Sequence, residues 1–194
     1  MKELIIDTAT NLLYVGLISG NKKNEIKRIG KSDNAAYLVQ VIADCLKSEN
    51  LELEDLDNII VGVGPGSYTG LRVAVTVAKM LAYTKGINLK GISSLNLLSS
   101  GYEKRVVAAI DARRNHCFAG IYENGVNLIK DHYLSYDEIT NKDELVILNE
   151  ETIKINLDIV STNAYCINDV HKLEPNYLRK TEAENEYDKK NDLK

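Results

Sequence analysis

The sequence is short of three things: closely spaced cysteines, long apolar runs and clustered positive charge. Its three cysteines, Cys45, Cys117 and Cys166, are far apart and odd in number. That pattern provides neither a disulfide framework nor a zinc site and fits reduced thiols in a cytosolic protein. No apolar stretch approaches the roughly 20 residues needed to span a bilayer. The start from Met1 shows neither the basic region nor the small-residue cleavage site of a signal peptide. The expected location is therefore the cytoplasm, with no membrane partner. The formal net charge is −4, and no stretch carries the basic stripe that phosphate neutralisation requires. If RNA is involved, a partner is expected to do much of the holding.

What is present is an ordinary globular composition, 44% hydrophobic and 27% charged over 194 residues, enough for one large domain or two small ones. Apolar alternation predicts strands at Leu4–Asp7, Leu12–Ser19 and 25–30, then a helix from about Asn34 to Ser48. A buried strand at 59–63 enters the glycine-rich stretch "GPGSYTG". A second long helix over about 68–83, a strand near 89–92 and a short helix capped by Ser93 or Ser94 follow. Strands alternating with helices at this spacing indicate an α/β layer with parallel pairing.

The pattern then restarts. "IIDTATNLLYVGLISG" and "AIDARRNHCFAGIYEN" share an aspartate (Asp7, Asp111), an asparagine four residues on (Asn11, Asn115), an aromatic at seven (Tyr14, Phe118) and a glycine at nine (Gly16, Gly120). Matches at equal offsets predict a duplicated strand–turn–strand unit. The expected divisions are 1–103, a shortened second half at 104–180, and a charged, disordered tail at 181–194.

The glycine stretch fails as a phosphate loop, because Gly70 is followed by Leu71 and no lysine comes before Lys79. Its glycine spacing also misses the dinucleotide pattern. Glycines flanking Pro65 read instead as a tight turn, with Ser67 or Thr69 capping the next helix. Arg72 opposes the helix macrodipole and so calls for an anionic partner, either Asp7 or a bound anion. Asp111 with Arg113 and Arg114 is a second candidate ion pair or phosphate contact.

Both long helices are apolar around most of their circumference, whereas a helix on one face of a sheet needs only a stripe. The surplus predicts a surface that docks on another subunit. The residues expected there are Ala35, Leu38, Val39, Ile42, Leu71, Val75, Ala78, Lys79 and Ala82.

Four segments, "LIIDTAT", "GPGSYTGLRVAVTVAK", "AAIDARRNHCFAGIY" and "EPNYLRKTEAE", together resemble the TsaB family, also called YeaZ, over essentially the whole chain. The resemblance implies an α/β fold of the actin-like, sugar-kinase and Hsp70-type ATPase superfamily, with two related βββαβα halves, the second reduced here. It implies no catalytic residues and no cofactor. It implies pairing with a TsaD-like catalytic subunit, which transfers threonylcarbamoyl to the adenosine beside the anticodon of tRNA. A TsaE-like ATPase would join the pair, the chain alone would form a homodimer, and tRNA would be met only through the complex. Pairing would use helices 34–48 and 68–83. The stretch "GKSDNAAYL" lacks the histidine that many members carry near the start of the first helix.

Two other classes compete. An active ATPase or phosphotransferase of the same superfamily would use Asp7 and Asp111 at a magnesium–nucleotide site. A metallopeptidase would need ligands, yet His116, His132 and His171 never fall at helical i, i+4 spacing and no HExxH occurs.

Overall fold

The computed structural model describes residues 1–30, 33–140 and 143–179, so the charged tail expected at 181–194 lies outside the described residues. The first sheet has six strands: β1 (Lys2–Asp7), β2 (Leu12–Ser19), β3 (Lys22–Ile29), β4 (Asn58–Gly62), β5 (Asn88–Ile92) and β10 (Tyr165–Cys166), in the order β10-β5-β4-β1-β2-β3. β1 and β2 form an antiparallel hairpin, while β4 runs parallel to both β1 and β5. Parallel neighbours need crossover connections. α1 (Asn34–Ser48) leads into β4, and α2 (Tyr68–Lys85) links β4 to β5. β4 reads "NIIVG" and is buried at every position, as a strand covered on both faces must be.

A second sheet comprises β6 (Val106–Asp111), β7 (His116–Glu123), β8 (Val126–Ser135) and β9 (Glu144–Ile147), in the order β8-β7-β6-β9. Each half thus places its third, second, first and fourth strands in the same spatial order, with the fourth parallel to the first. The echo between Asp7 and Asp111 is a topological duplication. It is not exact, because Asp7 pairs with Tyr14 whereas Asp111 pairs with Cys117, one residue short of Phe118. The slip accompanies three consecutive left-handed residues in the second turn: Arg113, Arg114 and Asn115, with φ of 65°, 53° and 60°.

Three apolar layers hold the molecule together. α1 and α2 pack on one face of the first sheet, burying Leu38, Ile42 and Cys45 with Ala74, Val75 and Ala78. The other face meets the second sheet around Ile5, Tyr14, Ile60, Val106 and Ile110, and α3 (Ser94–Ser99) and α4 (Leu157–Asn163) complete that layer. A smaller cluster of Val107, Ala109, Cys117, Ala119 and Ile121 gathers Leu134, Tyr136 and Ile139. After β9 the chain turns back, and β10 pairs antiparallel with β5. The end of the stretch expected to belong to the second half therefore adds a strand to the first sheet.

Candidate functional site

The glycine stretch seats a helix. Ser67 is the N-cap of α2, its hydroxyl oxygen accepting from the Gly70 N–H at 3.3 Å. What comes close to the glycines is backbone of the β1–β2 turn. A Cβ on Gly70 would stand 1.9 Å from the Thr8 carbonyl oxygen, and one on Gly66 would stand 2.5 Å from that of Ala9. The Thr8 hydroxyl donates to the Gly70 carbonyl at 2.7 Å, and the Ser67 N–H donates to the Ala9 carbonyl at 2.7 Å. Residues 8 and 9 thus occupy the space directly against Gly66 and Gly70.

Asp7 is corrected as an ion-pair or magnesium candidate. It is fully buried at the end of β1, and its two oxygens accept from the Ser94 hydroxyl at 2.6 Å and the Ala9 N–H at 2.8 Å. Burial raises its carboxyl to about 6, although both hydrogen bonds pull the other way. The proposed Asp7–Arg72 pair is therefore replaced. The Arg72 guanidinium lies 4.2 Å over the Tyr68 ring and donates to the hydroxyls of Tyr68 and of Tyr177, the latter at 3.0 Å. Two phenol oxygens and a ring face offset its clash with the macrodipole. The expected Asp111–Arg113 pair also fails to form. Asp111 accepts from the Tyr136 hydroxyl at 3.3 Å, and no ion pair joins it to Arg113 among the described residues.

An open cleft of about 720 Å³ lies where the loop ends of the two sheets face each other. The β1–β2 turn, the start of α2 and the β6–β7 turn bound it, contributing Asn11, Ser67 and Arg113 among others. Residues 176–179 cross it as a strap. The Asn176 N–H donates to the Val63 carbonyl at 2.7 Å, and Arg179 reaches over to the Tyr133 ring at 5.5 Å. Of the expected anion residues, Ser67, Asp111 and Arg113 line this cleft, Arg72 stands at its edge, and Asp7 is sealed away from it.

The expected docking residues on the helix pair need correction. Leu38, Ile42, Leu71, Val75, Ala78 and Ala82 are buried in the chain's own core. Lys79 is half-buried, its ammonium held by the carbonyls of Leu173 at 2.8 Å and His171 at 2.9 Å. Only Ala35 and Val39 of the expected set are exposed. The outward faces instead show Val39 at 54% exposure on α1, and Met80 at 50% and Tyr83 at 64% on α2, with Val73, Val77 and Leu81 half-buried beside them. The missed signal is the ladder Gly70, Ala74, Ala78, Ala82. Small residues four apart let a helix come close to its support, so that row marks the inward face.

The histidines stay apart: His116 and His132 each put Nδ1 against a local backbone carbonyl, and His171 packs edge-on to Tyr83. Among the described residues no group of three His, Cys, Asp or Glu side chains is placed to hold a metal ion. Nor is any helix among them long and apolar enough to cross a membrane.

Comparison with known proteins places this geometry. A family model described as TsaD, tRNA N6-adenosine threonylcarbamoyltransferase, matches residues 29–170. The tRNA threonylcarbamoyladenosine biosynthesis protein TsaB of Bacillus subtilis is 27% identical over 95% of this chain and 96% of its own length. That alignment runs over 224 positions against 194 residues here, so at least 30 of them have no counterpart in this chain. The Escherichia coli protein of the same name is 31% identical over 65% of this chain, and the match spans 58% of its length. A crystal structure from Pseudomonas aeruginosa, described as an uncharacterized protein with similarity to peptidase YeaZ, superposes with a TM-score of 0.79 at 23% identity, covering 92% of this chain and 99% of that one. The two-sheet architecture is the actin-like ATPase-type fold. The chain belongs to the family that the TsaD model describes and, within it, to the TsaB (YeaZ) branch.

Proposed function

We propose that this chain is a non-catalytic subunit of the machinery that makes threonylcarbamoyladenosine in tRNA, and that it acts by pairing with a TsaD-like catalytic subunit through α1 and α2. The B. subtilis and E. coli relatives carry that biosynthetic role in their names. The observation that carries the pairing is the set of large apolar side chains left outward on the two helices, Val39, Met80 and Tyr83. Each such side chain gains about 1.5–3 kcal/mol when fully buried. A partner that covers them would supply what the chain's own sheet does not. A second copy would use the same face when the chain is alone, and a TsaE-like ATPase would join the heterodimer. With these partners the protein would act in the cytoplasm. The first half, residues 1–103, carries the docking helices, and 104–180 acts as its smaller companion. The absence of catalysis by this chain is supported by the burial of Asp7 and by a glycine stretch that lacks the lysine of a phosphate loop.

The test is light scattering of the chain alone and mixed with its TsaD-like paralogue. Wild type is expected to give the heterodimer mass. The Val39→Lys, Met80→Glu double variant should give two monomer peaks with an unchanged circular dichroism spectrum. A heterodimer of undiminished affinity in the double variant would overturn the assignment of this face.

A further inference from the structure

Three of the chain's six arginines come together around the cleft, although they belong to three distant stretches of sequence. Arg113 and Arg179 line it, Arg114 follows Arg113 in the same turn, and Arg72 bonds two tyrosines that line it. Among the described residues no lysine lines it. Aromatic rings accompany the arginines: Tyr68 and Tyr177 lie 4.8 Å apart, and His116 stacks at 5.0 Å on Tyr133 beside Arg179. Arg113 and Arg114 are held in a left-handed backbone, which costs a non-glycine residue about 1–2 kcal/mol. Asp111 and Glu150 also face the cleft, equal in number to the two arginines that line it, and Arg72 adds a third guanidinium beside its tyrosines.

We propose that this mouth contacts the phosphodiester backbone of tRNA directly, with Tyr68 and Tyr177 presenting ring faces to an unpaired base. The proposal rests on the tRNA role given above and adds to it a surface on this subunit. Guanidinium forks match phosphate oxygens in pairs, which lysine cannot do. Aromatic and arginine planes stack on the splayed bases by which single-stranded RNA is recognised. An acidic protein segment would also engage the arginines, but it has no use for the neighbouring rings, and so RNA is the favoured occupant.

The experiment titrates a fluorescent, unmodified tRNA transcript with the complex of the full chain and its TsaD-like partner, at several salt concentrations. Arg113→Ala and Arg179→Ala are each expected to flatten the slope of log affinity against log salt by about 0.7–0.9, the share of one phosphate contact. Tyr177→Ala should weaken binding of tRNA at unchanged slope, and Tyr177→Phe should restore it. Heterodimer mass is measured in parallel. Unchanged affinity and slope in the double arginine variant, with pairing intact, overturn the proposal. Loss of pairing at unchanged slope also overturns it and assigns the arginines to an acidic protein surface. If the wild-type chain fails to pair at all, the pairing reading fails by itself, and the same titration of the chain alone decides: an arginine-dependent slope supports the proposal, and its absence overturns it.

Discussion

Replacing Asp7 with asparagine should change how stability depends on pH, and the size of the change follows from burial. Asp7 is enclosed at the junction of β1, Gly62 and the start of α3, where a Cβ on Gly62 would come within 1.8 Å of its Oδ2. Desolvation raises the carboxyl from 3.8 to about 6 in the folded chain. Between those values the folded state keeps a proton that the unfolded state has released, so stability falls as pH rises through the window. The full rise corresponds to about 3 kcal/mol, absent below pH 3.8 and fully present above pH 6. Asparagine does not titrate, and its carbonyl and amide can meet the Ala9 N–H and the Ser94 oxygen. The unfolding free energy of Asp7→Asn relative to wild type should therefore climb by about 2–2.5 kcal/mol from pH 4 to pH 7, above a constant offset for altered hydrogen bonds. Urea unfolding followed by circular dichroism at pH 4, 5, 6 and 7 measures it. Ser94→Ala removes a hydrogen bond that favours the carboxylate, so there the window should extend above pH 6. An offset between Asp7→Asn and wild type that is the same at every pH would refute the reasoning.

Four further substitutions separate packing from docking. Gly70→Ala puts a Cβ against the Thr8 carbonyl and should cost about 2–4 kcal/mol in urea unfolding; a loss below 0.5 kcal/mol would mean the turn and α2 part easily. Ser67→Ala removes the cap of α2 and should cost about 1 kcal/mol, read as a lower urea midpoint at constant slope. Ala78→Arg buries a charge in the layer between α2 and its sheet, so little soluble folded protein should be recovered, whereas Met80→Glu should unfold at the wild-type midpoint.

Much of the fold was legible in local pattern. The helix bounds Asn34 and Ser48 and the strand Leu12–Ser19 agree with the structure, because alternation and helical period are properties of neighbouring residues. The turn role of "GPGSYTG" was readable as the stronger of two options, since a missing lysine can be seen in one dimension. The inward face of α2 was harder. Every apolar residue there looked equivalent, and only the four-residue spacing of Gly70, Ala74, Ala78 and Ala82 distinguishes the side toward the sheet from that bearing Met80 and Tyr83. Membership of an apolar helix was mistaken for membership of its surface.

The partners of the charged groups were the least legible, for a physical reason. The macrodipole argument put Arg72 with Asp7, and proximity in sequence put Asp111 with Arg113, but a buried carboxylate is satisfied by whichever donors the fold encloses with it. For Asp7 those are Ser94 and the Ala9 N–H, the first 87 residues away. The arginines show the converse. A net charge of −4 with no basic run argued against an RNA-facing surface, yet β6–β7, α2 and the strap after β10 bring residues 72, 113 and 179 to one rim. Composition averages over the whole surface, whereas a ligand meets only the part that topology assembles. A scattered set of six arginines is therefore compatible with a site that gathers three of them, and the strap that completes the site comes from the last described residues of the chain.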